Sequence, residues 1–274
     1  MDLLQAIALG LVQGLTEFLP ISSSAHQRIV ASFFGWDDPG AAFTAITQLG
    51  TEAAVLIYFR EDLWRAATHW LASLRNREMR SDPDARLGWY IIAATIPISI
   101  LGLAFKDQIE TGARNLYLIA SMLIVFGLVM GWADRRAKLQ KDIDGLNLKS
   151  GVAIGVAQSL ALIPGVSRSG ATMSAGLLLG LTREAAARFS FLLAVPAVLA
   201  SGLFQVLSLA MGDSPGNDPW WAIATATVIS FVIGYAAIAW LLRYVTHHSL
   251  NLFVGYRIAI GTLVLVLAGA GAIS

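Results

Sequence analysis

Six stretches of this chain are apolar over about 20 residues each, the length an α-helix needs to cross the hydrocarbon core of a bilayer. They lie roughly at 40 to 60, 86 to 106, 115 to 134, 188 to 211, 219 to 243 and 250 to 272. The expected class is therefore an all-α polytopic membrane protein with six transmembrane helices. Composition agrees: 56% of the residues are hydrophobic and 14% are charged, which argues against a soluble globular domain. There is no cysteine, so disulfides, thiolate zinc sites and cysteine nucleophiles are excluded. Histidine, serine and carboxylates remain for chemistry.

The cations give the chain a direction. Arg60, Arg65, Arg75, Arg77, Arg80 and Arg86 in one connection, and Arg135, Arg136, Lys138, Lys141 and Lys149 in another, face the cytoplasm by the positive-inside rule. The connections at 36 to 40, 106 to 115 and 212 to 219 hold few cations and are expected outside. The tryptophans fall near predicted span ends, where indoles favour the headgroup layer. A net charge of +1 gives no attraction to nucleic acid. MDLLQAIALGL has no basic n-region, so no removable signal peptide is expected.

Two further stretches, 2 to 34 and 149 to 181, are apolar on both sides of a central Pro/Gly/Ser cluster. The loop charges balance only if each begins and ends on the same side, so each reads as a re-entrant helix, loop, helix hairpin. Non-helical backbone at that depth is tolerated only where protein or a water-filled cavity satisfies it, which implies a polar cavity. ALGLVQGLTEFLPISSSA at 8 to 25 also aligns without a gap on AIGVAQSLALIPGVSRSG at 153 to 170. Ala8 falls on Ala153, Gly10 on Gly155, Gln13 on Gln158, Leu15 on Leu160, Ser22 on Ser167 and Ser24 on Ser169, with Pro20 and Pro164 displaced by one residue. Each hairpin precedes three spans, an odd number, so the halves must have opposite orientation. The whole chain, 1 to 274, reads as one membrane domain built from an inverted repeat, 1 to 134 and 149 to 274.

Where the copies diverge they carry chemistry. Glu17 stands opposite Leu162, Ser23 opposite Arg168 and His26 opposite Ala171. One hairpin thus supplies a carboxylate and an imidazole, the other a guanidinium, as half-sites for one anionic substrate. Gln13 and Glu17 are one helical turn apart and share a face. Such oxygen ligands suit a hard cation, Mg²⁺ or Ca²⁺, which uses few protein ligands plus substrate phosphate oxygens. The competing reading of Glu17 is a carboxylate bonded to backbone in a broken helix. His26 is either a packing residue or a nucleophile toward phosphorus or general acid/base. Ser22, Ser23 and Ser24 either meet the substrate or cap a helix. Arg168 is costly at bilayer depth unless it meets an anion, and its planar fork matches phosphate. Ser167, Ser169 and Thr172 flank it at a predicted helix N-terminus, which favours a bound anion. The alternative for Arg168 is a structural pair with Glu17.

The remaining polar residues read more plainly. Gln48 and Glu52, one turn apart inside a span, are candidates to line the cavity, unless Glu52 pairs with a buried arginine. Arg188 and Arg257, at or inside span ends, are expected to snorkel or form ion pairs. His247 and His248 are expected to be solvated.

QGLTEFLPISSSAH and IPGVSRSGAT closely resemble the two signature segments of the bacterial undecaprenyl pyrophosphate phosphatases of the bacitracin-resistance type, and ITQLG and RFSFLLAVP are similar as well. The resemblance runs nearly the whole chain. It implies an enzyme of the bacterial plasma (inner) membrane that removes the terminal phosphate of undecaprenyl diphosphate, with its site open toward the extracytoplasmic side. By matching positions, Gln13 and Glu17 would be the metal pair, His26 the catalytic histidine, Ser23 a hydroxyl near the phosphate and Arg168 the diphosphate clamp. Whether histidine or serine attacks phosphorus stays open. Gln13 stands where a glutamate is also found in the family, and one fewer charge weakens a cation's hold. Ser24 and Ala25 replace the threonine and glycine of many members. Beyond the lipid substrate and membrane lipids no partner is implied, and a homodimer is compatible with the sequence. Because inverted repeats with broken helices also describe transporters, a transporter or flippase of an anionic phosphate-bearing lipid is the alternative.

Overall fold

A computed structural model describes residues 1–105, 115–210 and 219–273. Among these residues it is all-helical, with no β-strand. The helices are α1 (Leu3–Phe18), α2 (Ser23–Phe33), α3 (Gly40–Tyr58), α4 (Arg60–Arg75), α5 (Pro83–Ala104), α6 (Leu116–Arg136), α7 (Leu148–Ser159), α8 (Arg168–Leu178), α9 (Arg183–Ala210), α10 (Trp220–His247) and α11 (Asn251–Gly269). The expected outer connections at 106 to 115 and 212 to 219 lie almost wholly outside the described residues.

Five helices, α5, α6, α9, α10 and α11, are each long and apolar enough to cross a membrane. The expected span at 40 to 60 passes only jointly with α4, from which it bends by 80°. Residues 60 to 75, read from sequence as a loop, are instead a helix. REDLWRAATHWLASLR carries Glu61 and Asp62 in its first turn and Arg75 in its last, both favourable to the helix dipole.

Local chemistry sets the other boundaries. Asp2 and Gln5 form a capping box at the start of α1, and Asn115 and Asn147 accept from the first amides of α6 and α7. Asp82 caps α5, with Pro83 in the first position, where a missing N–H costs nothing. α1 ends at Leu19 because the residue before Pro20 is pushed out of the helical region, and Ile163 before Pro164 is extended for the same reason.

Packing crosses between the halves. α1 lies along α10, and α7 lies along α5. Both contacts depend on glycine: a Cβ at Gly10 would sit 2.7 Å from the Ala226 carbonyl oxygen, and one at Gly155 would sit 2.1 Å from that of Ala94. The main core gathers Phe18, Phe59, Phe189, Phe191, Met173 and Leu241 around the hairpins. The turns of both hairpins are therefore held inside protein.

Candidate active site

The two hairpin turns share one unusual backbone. Ser22 has φ 76° and ψ 98°, and Ser167 has φ 73° and ψ 119°. Positive φ in a residue other than glycine costs about 1–3 kcal/mol and persists only where its surroundings enforce it. It reverses the chain so that Ser22, Ser23 and Ser24, at the start of α2, and Ser167 and Arg168, at the start of α8, line one cavity. That cavity is about 550 Å³. Gly165, at φ +93°, permits the second turn to press on α6, since a Cβ there would lie 2.4 Å from the Ile119 carbonyl oxygen.

Glu17 is the centre of the arrangement. Its Oε1 accepts from Arg168 Nη2, joining one hairpin to the other. Its Oε2 accepts from Ser23 Oγ at 2.5 Å and from Gln13 Nε2 at 2.8 Å. A donor chain runs behind it: Thr44 Oγ1 gives to Gln27 Oε1 at 2.9 Å, and Gln27 Nε2 gives to Gln13 Oε1 at 2.7 Å. The sequence reading missed Gln27 and Thr44; polar residues so near a buried glutamate were the available signal. Ser169 Oγ adds a second tie between hairpins, donating to the Leu19 carbonyl at 3.2 Å.

Of the two readings of Arg168, the structure contains the pair with Glu17. Arg168 also stands on the cavity wall, where its side chain keeps 17% of its surface exposed. Gln48 also lines the cavity. Ser169 and Thr172, placed from sequence at the substrate, are not among the lining residues. Thr172 is fully buried and bonded to the Arg168 carbonyl and Ser190.

His26 is placed differently from the acid and the guanidinium. Its Nδ1 meets the Ser22 carbonyl at 2.7 Å, and its Nε2 meets the Tyr256 hydroxyl at 2.8 Å. The two rings stack with centroids 5.5 Å apart. It is not a lining residue of the cavity. Glu52, read as lining the cavity or pairing with an arginine, does neither: it is buried and its Oε1 has no partner. Arg188 forms the expected kind of ion pair, with Asp62 at 2.9 Å. Arg257 does not snorkel and meets no carboxylate among the described residues; it is fully buried beneath the two turns. A charged residue in the midst of the apolar run NLFVGYRIAIG was the signal for it.

The donor set bears on a cation. Gln13 points its amide nitrogen at Glu17 and its oxygen, which accepts once and keeps a lone pair, at Gln27, so a donor rather than an oxygen faces the carboxylate. Glu17 Oε2 has two donors, whereas Oε1 has one and retains a lone pair. The residues fit a hard divalent ion held by one carboxylate and otherwise by substrate oxygens and water. The three-residue cluster His69, Asp82 and Asp84 joins α4 to the start of α5, and none of the three lines the hairpin cavity.

Comparison with known proteins points the same way. A family model described as bacitracin resistance protein BacA matches residues 6–263. The undecaprenyl-diphosphatase of a Nocardioides species is 56% identical over 273 residues, covering 100% of this chain and 99% of its own. Undecaprenyl-diphosphatase 2 of Streptomyces avermitilis is 54% identical over 286 residues, covering 100% and 97%. The undecaprenyl-diphosphatase of Thermobifida fusca is 52% identical over 274 residues, covering 100% and 93%.

Proposed function

The chain belongs to the bacitracin resistance protein BacA family, and from that membership we propose that it is an undecaprenyl-diphosphatase whose chemistry is done where the two hairpin turns meet. The observation that carries this reading is the shared carboxylate: Glu17 accepts from Ser23 on one oxygen and from Arg168 on the other, all three on one cavity wall.

Ser23 is the attacking group in this reading. Its Oγ–H already points at Glu17 Oε2, which takes the proton as Oγ bonds to the terminal phosphorus. The bond from that phosphorus to the bridging oxygen breaks, and undecaprenyl phosphate leaves. Water then cleaves the phosphoserine, releasing inorganic phosphate and returning the proton to Ser23. Arg168 swings its fork from the carboxylate toward the phosphoryl oxygens, and the first amides of α2 and α8 face the same charge. Phosphoryl transfer needs mainly positioning and charge stabilisation, so these few groups suffice. A divalent ion, Mg²⁺ or Ca²⁺, when held by Glu17, would neutralise charge on the diphosphate. Both nitrogens of His26 are engaged, one by the Ser22 carbonyl and one by the Tyr256 hydroxyl, and the ring does not line the cavity, so its role in this reading is to hold the start of α2.

The cavity also suits a lipid. Ile98, Leu103, Ala161, Leu162, Val198 and Phe204 give it an apolar side beside the polar tip. An inverted repeat with re-entrant hairpins is supported by the matched serine backbone and by the matched packing of Gly10 and Gly155. With the basic connections in the cytoplasm, the cavity opens to the outside of the plasma membrane.

The test is phosphate release from undecaprenyl diphosphate by the detergent-purified protein, with and without chelator. Ser23→Ala and Glu17→Gln should each lower kcat by about 10²-fold or more. Radiolabel from the terminal phosphate should remain on Ser23 after acid quench. Wild-type turnover by Ser23→Ala would overturn its assignment as nucleophile.

A further inference from the structure

Arg257 lies in α11, outside both hairpins, yet every hydrogen bond it makes goes to a main-chain carbonyl. Nε reaches Leu123 at 3.1 Å and Nη2 reaches Met122 at 3.3 Å, both on α6. Nη1 reaches Pro20 at 3.0 Å, in the first hairpin turn. Nη2 reaches Gly165 at 2.8 Å and Val166 at 3.0 Å, in the second. Its side chain is fully buried.

The two targets are the same point of two copies. In the ungapped register that sets Ser22 on Ser167, Pro20 falls on Gly165. One end nitrogen of the guanidinium thus grips each turn, two residues before the positive-φ serine. These carbonyls lie just past the ends of α1 and of the 3₁₀ turn Leu160–Leu162. The starts of α2 and α8 line the cavity while five main-chain carbonyls converge on Arg257. That is how a cation without a carboxylate is kept at this depth. Gly127 on α6 leaves the space: a Cβ there would come within 3.3 Å of the Arg257 Cβ.

We infer that Arg257 is a positioning residue for the reaction: it fastens the two hairpin turns to each other at matched carbonyls, and so fixes the distance between Ser23 and Glu17 on one and Arg168 on the other. The kinetic half of this inference rests on the diphosphatase reading above, and the geometric half does not. A planar fork is required. A lysine ammonium keeps the charge but offers no fixed pair of donors splayed toward two carbonyls.

Two measurements decide it. The chain has no cysteine, so Leu15→Cys and Leu160→Cys, at equivalent and exposed positions on the entering arms, accept spin labels cleanly. The full-length protein should give one narrow label-to-label distance, which Arg257→Gln and Arg257→Lys should broaden or shift. In the unlabelled variants, kcat for phosphate release should fall at least about tenfold while KM stays within about threefold, because misplaced catalytic groups cost rate more than binding. If Arg257→Gln does not fold, Arg257→Lys decides alone. An unchanged distance with an unchanged kcat in Arg257→Lys would overturn the inference, as would a loss confined to KM. A wild-type protein that released no phosphate would sink the diphosphatase reading, while the label distance would still show whether Arg257 fastens the turns.

Discussion

Glu17 and Arg168 were legible from the sequence because a charge inside an apolar segment is expensive, and each had to meet either an opposite charge or a ligand. The structure pairs Arg168 with Glu17 on the wall of the cavity. His26 was legible only as a residue type. Spacing places it on one face of α2, but which face looks into the cavity depends on α11, more than two hundred residues away. The consequence can be tested at Tyr256. Tyr256→Phe removes the partner of His26 Nε2 and leaves a buried ring nitrogen unsatisfied, which costs about 1–3 kcal/mol. A structural His26 therefore predicts a lower melting temperature, with phosphate release per folded molecule within about threefold of wild type, since only a supporting contact is lost. A collapse of turnover with unchanged melting would instead assign His26 to the chemistry.

Among the elements, the hairpins were readable and α4 was not. Proline, glycine and serine clusters mark broken helices whatever surrounds them, whereas residues 60 to 75 look like a charged loop until helical spacing gathers their polar side chains. The entering arms make the sharper prediction. At Gly155 an added side chain would collide with the Ala94 backbone, which cannot move aside as a flexible side-chain tip would. Gly155→Val should push α7 off α5 and destabilise the protein by at least about 1–3 kcal/mol, read as a fall in melting temperature in detergent. Gly255→Ala is the control, because nothing lies within 4 Å of that Cβ, and it should not lower the melting temperature. The start of α5 adds a pH dependence. Hydrogen bonds from His69 and from the amides of Ala85 and Asp84 hold the Asp82 carboxyl below its ordinary value of 3.8. A depressed pKa means that the stabilisation is fully present above 3.8 and is lost as pH falls through the lower, folded value. Asp82→Ala should thus cost about 1 kcal/mol of cap energy at neutral pH. The gap in melting temperature between the variant and wild type should narrow as pH falls below 3.8.

At the scale of the molecule, two cavities lie toward opposite ends of the bundle. The hairpin cavity is walled by Thr44 to Gln48 of α3, by Ile98 to Leu103 of α5 and by Ala197 to Phe204 of α9. The other, about 490 Å³, takes Tyr58 of α3, Glu184 and Arg188 of α9, and Leu242 to Thr246 of α10. Gln48 and Tyr58 are ten positions apart on α3, about 15 Å along the helix axis. The sequence carries an expectation of sidedness in its arginines, because loop charge acts over the whole bilayer. It could not show the depth of either cavity, because that depends on how side chains distant in the chain pack. Sidedness is open to direct test in a chain without cysteine. Ser99→Cys places a thiol on the hairpin cavity, and Thr246→Cys places one on the other. A membrane-impermeant maleimide applied to right-side-out vesicles should modify the first and spare the second, and inverted vesicles should reverse the pattern. Undecaprenyl diphosphate should protect the Ser99→Cys thiol and leave the Thr246→Cys thiol reactive. Labelling of the Ser99→Cys thiol only from the inverted side would mean that the site faces the cytoplasm, and the orientation drawn from the basic connections would have to be turned over.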